Sequence, residues 1–214
     1  MAQMAKEKGL EAISLTEHAP EMPGTCHEFY FQNLKVVPRE MYGIRLFLGV
    51  ELNILDEKGA VDLPENVLSQ MDIAVASIHG PCYRGERTKE AITAAYLAVM
   101  ENPRIHIIGH PDDGRFPVDY ETLVKKAKET HTLLEINNSS LRPGGFRMNT
   151  RGNDRLMLEY CKKYEVPISL GSDAHVDVDL GEFGVVEELL AECNFPEELV
   201  VNTSVSKLEK MLAI

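Results

Sequence analysis

Across its 214 residues the chain has no apolar run near the roughly 20 residues that a membrane-spanning helix needs. Its first residues also lack the basic, apolar and small-residue order of a secretory signal. Both absences point to a cytoplasmic protein with no membrane partner. Cationic residues are scarce: 22 Lys and Arg stand against 34 Asp and Glu, giving a net charge of −12 and a pI near 5.1. That balance argues against a basic nucleic-acid footprint and against polybasic docking on membranes. It would also repel an anionic substrate, unless bound cations reversed the local field. The four cysteines, Cys26, Cys82, Cys161 and Cys193, form no C-x-x-C pair. A disulfide framework or structural zinc ribbon is therefore not expected, and free thiols in a reducing compartment are. There is no G-x-S-x-G elbow and no cysteine followed by a C-x-x-x-x-x-R loop, so neither a serine hydrolase nor a cysteine phosphatase is indicated.

No repeat, low-complexity stretch or long linker divides the sequence, and residues 1–214 read as one domain. Short runs rich in Ile, Val and Leu occupy residues 12–15, 46–50, 73–78, 105–108, 133–136 and 167–170. They are too short for helices and match strands buried on both faces. Helical patterns fall between them, at 88–100, 120–129 and 154–164, with another after a Ser204 N-cap. Residues 1–9 read as a helix leading into the first of these strands. The alternation predicts an α/β fold with a mainly parallel sheet, closer to a (β/α) barrel than to an open sheet.

The barrel reading rests on where polar residues fall. Five apolar runs end in metal-ligating residue types: His18, Glu51, His79, His110, and Asp173 with His175. In a parallel barrel the C-terminal strand ends share one face, which would gather all six side chains. Imidazole nitrogens and carboxylate oxygens suit Zn²⁺, Mn²⁺ or Fe²⁺. His106 lies deeper in its strand and reads as a core contact, and His131 as surface. Candidate substrate contacts are Asn137, Asn138, Arg142 and Arg147 after the fifth run, Arg115 after His110-Pro111, and His27 in an early loop. Arg39 is a further cation in that loop. Guanidinium groups grip phosphate bidentately, which makes the arginines candidates for an anionic group.

Ser14-Leu15-Thr16-Glu17-His18, Gly49-Val50-Glu51-Leu52-Asn53, Ser77-Ile78-His79, Ile107-Ile108-Gly109-His110-Pro111 and Gly171-Ser172-Asp173-Ala174-His175 together resemble the PHP family. This is the polymerase-and-histidinol-phosphatase domain of metal-dependent phosphoesterases. Glu135-Ile136-Asn137-Asn138-Ser139-Ser140 and Asn202-Thr203-Ser204 make the chain most similar to its small stand-alone bacterial phosphatases. The resemblance implies a distorted seven-stranded (β/α) barrel with up to three divalent ions, zinc first and manganese or iron as alternatives. By position, Glu51 would bridge two ions and Asp173 would bind the first of them. His79 and His110 would bind the second, and His18 and His175 the third. The implied reaction is hydrolysis of a small phosphorylated metabolite by a metal-activated hydroxide, with no protein nucleophile. A phosphodiesterase or nuclease of the same type, and a catalytically impaired metal-binding scaffold, remain as alternatives.

The family pattern opens with a strand ending in H-x-H. This chain has no H-x-H and no histidine before His18. The expectation is a barrel without its first strand. Its gap would be flanked by two open strand edges, through which copies could associate as a homo-oligomer.

Overall fold

The computed structural model describes residues 1–212. Helix α1 (Ala2–Glu7) leads into strand β1 (Ala12–His18). Helix α2 (Glu28–Asn33) and the short strand β2 (Glu40–Met41) precede the long strand β3 (Ile44–Asn53). Then follow α3 (Glu65–Leu68), β4 (Ile73–Ser77), α4 (Lys89–Val99), β5 (Ile107–Ile108), α5 (Tyr120–Thr130) and β6 (Leu133–Asn137). The chain continues through α6 (Asn138–Leu141), α7 (Thr150–Tyr164), β7 (Ile168–Gly171), α8 (Gly184–Glu192) and α9 (Val205–Leu212). Among the described residues no helix is long and apolar enough to cross a membrane.

The strands pair in the order β1-β3-β4-β5-β6-β7, every one of these pairs parallel, while β2 folds back antiparallel on β3. Sequential parallel strands joined by helices put all C-terminal strand ends on one face. The apolar runs read from sequence correspond to these strands, with the run at 105–108 reduced to two paired residues. Strand β2 was not anticipated; the chain turns there through Tyr42 and Gly43, both at positive φ.

Side-chain alternation separates two apolar layers. Phe47, Ile73, Ile107 and Leu133 point to the concave side, where Val205, Leu208, Met211 and Leu212 of α9 pack onto them. The last helix thus plugs the end of the sheet opposite the ligand-type residues. The Ser204 hydroxyl accepts from the Lys207 amide at 3.2 Å, the N-cap expected for this helix. The other strand faces pack under α4, α5 and α7 through Ile92, Tyr96, Leu123, Val124, Met157 and Leu158.

Among the described residues no pairing joins β1 to β7, so the sheet is open between these two strands. The expectation of two open edges needs correction at β7. Ile168 bridges to Val200 in parallel, and the Asn202 amide straps Leu170. Its Oδ1 accepts from the Leu170 amide at 2.7 Å and its Nδ2 donates to the Leu170 carbonyl at 2.9 Å. A side-chain amide carries the same donor and acceptor as a peptide, so Asn202 pairs with the edge as a neighbouring strand would. The two ends of the sheet are also tied at their flanks. Lys8, capping α1, donates to the carbonyls of Val178 and Leu180 at 2.6 and 2.9 Å and pairs with Glu182 at 2.8 Å.

Candidate metal centre

The site is built around Glu51, which faces the concave side near the end of β3. Three imidazoles converge on its carboxylate. His110 Nε2 lies 3.0 Å and His79 Nε2 3.3 Å from Oε1, and His18 Nδ1 lies 3.0 Å from Oε2. The Ser77 hydroxyl donates to Oε1 at 2.7 Å. The ring of His79 sits 4.9 Å from that of His18 and 5.1 Å from that of His110. The ligand atoms of His18, Glu51 and His79 all lie within 4.8 Å of one another. Burial alone would raise the Glu51 carboxyl, but its contacts with His110 and then His18 carry it well below the usual carboxylate range.

The hydrogen bonds behind His79 fix its tautomer. Asn53 uses its Nδ2 toward Asp62 Oδ2 at 2.6 Å and the Ala19 carbonyl at 3.3 Å. Its Oδ1, an acceptor only, faces His79 Nδ1 at 2.7 Å, so Nδ1 carries the proton. Burial holds the His79 imidazole below its ordinary pKa and thus neutral. The Nε2 lone pair then faces a carboxylate oxygen at 3.3 Å with nothing to donate. His79 Nε2 and His18 Nδ1 are both buried without a hydrogen-bond partner, although each lies close to Glu51. Facing lone pairs at this spacing repel unless a cation lies between them. The donor set therefore fits a divalent ion, with Asn53 and Asp62 as the outer groups that orient a ligating imidazole.

Two further ligand-type residues complete the face. His110 and Asp173 adopt positive φ, +32° and +52°, a strained backbone for residues with a Cβ. Both occur at strand ends of the site, where they turn the side chains inward. His175 is exposed; its Nδ1 donates to the Asp173 carbonyl at 3.0 Å, and its ring lies 6.2 Å from that of His18. Asp173 Oδ2 accepts from both terminal nitrogens of Arg147, at 3.4 and 3.5 Å. The six residues expected as ligands are thus gathered at one mouth, with His175 outermost.

Two glycines make room for the polar layer. A Cβ on Gly109 would lie 2.2 Å from the Ser77 Oγ that supports Glu51. On Gly171 it would lie 1.9 Å from Glu135 Oε1. Glu135 sits beneath the centre, accepts from the His110 amide at 2.8 Å, and is pushed up to about 7 by burial.

Of the expected substrate contacts, Arg147 and Arg115 line a cavity of about 540 Å³ above the cluster. Asn137, Asn138, Arg142 and His27 are not among its lining residues, contrary to expectation, and their side chains are occupied elsewhere. Asn137 caps α6 by accepting from the Ser140 amide, and buried Asn138 accepts from the Val186 amide of α8. Arg142 pairs with Asp179 at 3.1 Å, and His27 caps α2. Asparagines beside a helix start are as well suited to capping as to ligand binding, and here capping won. Arg39 pairs with Asp72. His106 accepts from the Ala74 amide at 3.0 Å low in the sheet, and His131 terminates α5 in the left-handed conformation.

Residues not anticipated are Asn53, Asp62 and Ser77 behind the ligands, and Phe146 and Met22 at the cavity. Alternation along β3 places Asn53 on the same side as Glu51, a signal available in the sequence. Phe146 and Met22 depend on loop paths that no local pattern encodes.

No protein-family model matches the chain. Its fold is similar to that of histidinol phosphate phosphatase from Lactococcus lactis subsp. lactis, solved in complex with zinc, L-histidinol and phosphate. The TM-score is 0.58 at 19% identity, covering 91% of this chain and 86% of that one. The chain is 44% identical over 207 residues to a probable phosphatase of Clostridium novyi, covering 97% of this chain and 84% of that protein. It is 42% identical over 214 residues to one from Caldanaerobacter subterraneus subsp. tengcongensis, covering 99% and 82%. A third, from Caldicellulosiruptor saccharolyticus, is 42% identical over 214 residues, covering 100% and 88%. At this identity and coverage the chain belongs to the family of these probable phosphatases, hydrolases of phosphate esters.

Proposed function

We propose that the chain is a metal-dependent phosphomonoesterase acting on a small phosphorylated metabolite. The observation that carries this reading is the Glu51 carboxylate with three imidazole nitrogens 3.0–3.3 Å away, one of them a lone pair with no proton to share. Glu51, His18, His79 and His110 would hold divalent cations, with Asp173 and His175 completing the set toward solvent. Zinc suits these donors, as do manganese and iron. Bound cations would supply positive charge to phosphate oxygens and a lowered pKa to an attacking water.

The chain's own groups do the rest. Asn53 and Asp62 fix the His79 ring so that Nε2 faces the centre. Ser77 fixes the Glu51 carboxylate. Arg147 reaches the cavity from a nearly buried position, held by Ser140 Oγ at 2.8 Å, and presents a guanidinium to an equatorial phosphate oxygen. Cations at the mouth also explain how a protein of net charge −12 attracts a phosphate.

The test is turnover of a phosphomonoester and of a phosphate bis-ester by chain supplied with zinc or manganese. The expected result is mono-ester hydrolysis abolished by chelation and restored by metal. Preference for the bis-ester would replace this reading with a phosphodiesterase, and activity indifferent to chelation would contradict it.

A further inference from the structure

The cavity above the cluster is lined on its buried side by His79, His110 and Arg147, while exposed His175 and the apolar Met22, Pro81 and Phe146 form its lip. A volume of about 540 Å³ lies within the range that encloses a whole small ligand, well beyond one phosphate. Phe146 is 72% exposed, a costly position for a large apolar ring with no partner. It is nevertheless held in place. Arg115 and Arg147 lie over the ring, their guanidinium carbons 4.9 and 5.4 Å from its centroid. The segment is anchored just after the ring, at Met148. The Met148 amide donates to Asp113 Oδ1 at 3.3 Å, and the Gly114 amide donates to the Met148 carbonyl at 2.7 Å. An exposed aromatic side chain pinned at a cavity mouth is suited to contact the part of a ligand that projects outward.

The charges around Phe146 restrict what that part can be. Arg115 is neutralised by Asp113 through Nε and Nη2, at 2.9 and 2.6 Å to Oδ2. Arg147 is shared with Asp173. Among the described residues at the lip, no arginine or lysine is left uncommitted for a second anionic group. A cationic group stacking on Phe146 would have to compete with the two guanidiniums already over the ring.

Resting on the phosphomonoesterase reading, we propose that the lip is a leaving-group subsite for an uncharged, apolar or aromatic alcohol portion, with Phe146 as its specificity-determining residue. The substrate is then a phosphomonoester with one anionic end and one apolar end. Bisphosphates and esters of amino alcohols are disfavoured.

The test compares kcat/KM of the zinc-loaded chain for phenyl phosphate, glycerol phosphate, glucose bisphosphate and histidinol phosphate. Phenyl phosphate is expected to lead. The ratio of phenyl to glycerol phosphate should fall about tenfold in Phe146→Ala, the scale of one lost aromatic contact, and less in Phe146→Leu. A preference for glucose bisphosphate or histidinol phosphate, or an unchanged ratio in Phe146→Ala, would overturn the subsite while leaving a phosphatase. If none of the four esters is hydrolysed, the phosphomonoesterase reading fails. Calorimetric binding of phenylphosphonate against methylphosphonate then still decides the subsite. Tighter binding of the phenyl compound, lost in Phe146→Ala, supports it, and equal binding overturns it.

Discussion

At the scale of single residues, the site is defined by which atoms lack a proton. His79 donates through Nδ1 to Asn53, so its other nitrogen can only accept, and it faces a carboxylate that can only accept. Removing either partner should therefore remove metal. Glu51→Ala and His79→Ala should each lower bound metal sharply, measured by plasma mass spectrometry after gel filtration, while His131→Ala at the end of α5 should leave it unchanged. Asn53→Ala should weaken metal affinity by about 10–100-fold without removing a ligand, because the His79 ring loses its orienting acceptor. Competition with a chromogenic chelator measures this. His106 gives a pH prediction away from the centre. Burial, then the nearby Arg104 charge, lower its pKa, and Nδ1 accepts from the Ala74 amide. A histidine with a folded pKa below its unfolded value of about 6.5 stabilises the fold fully above that pH, and the contribution is lost as pH falls. The stability advantage of wild type over His106→Asn should therefore narrow between about pH 7.5 and about pH 5.5, as read from urea midpoints.

At the scale of elements, the strand ends were legible because their composition repeats. Each of five apolar runs breaks at a ligand-type residue, and parallel order turns five sequence coincidences into one place. The strand positions followed for the same reason, although β1 and β3 run on through the ligand residues to His18 and Asn53 and β5 shrinks to two residues. What was not legible is the work of side chains that replace backbone. Asn202 closes the β7 edge that sequence reading left open, and it lies 32 residues from Leu170. Asn202→Ala should cost about 1–2 kcal/mol for two lost hydrogen bonds and expose the edge to pairing. Urea denaturation measures the first effect, and light scattering at rising concentration the second. The capping asparagines show the opposite failure. Asn137 and Asn138 follow a strand, as ligand contacts would, yet α6 starts there at once and takes the Asn137 side-chain oxygen, while the Val186 amide of α8 takes that of Asn138. Gly109 links the two levels. Its missing Cβ leaves space for the Ser77 hydroxyl on Glu51, so Gly109→Ala should destabilise the chain by about 1–3 kcal/mol and weaken metal binding together.

At the scale of the whole molecule, an acidic chain is reconciled with an anionic substrate by concentrating ligands for cations at one mouth. The concave face is divided by height. Phe47, Ile73, Ile107 and Leu133 are sealed by α9 below, and the carboxylate–imidazole layer lies above. Sequence reading found the polar layer and the helix that plugs the other end, but not the plugging itself, since packing of α9 onto a sheet face is a long-range event. The central claim is that the Glu51 cluster binds divalent metal. The direct measurement is metal content per chain by plasma mass spectrometry, on protein purified without chelator or metal-affinity tag, beside Glu51→Ala prepared identically. The account predicts at least one zinc, manganese or iron per chain in the wild type and its loss in the variant. A wild-type chain that holds no such metal even when supplied with it, or a variant that holds just as much, would contradict the account.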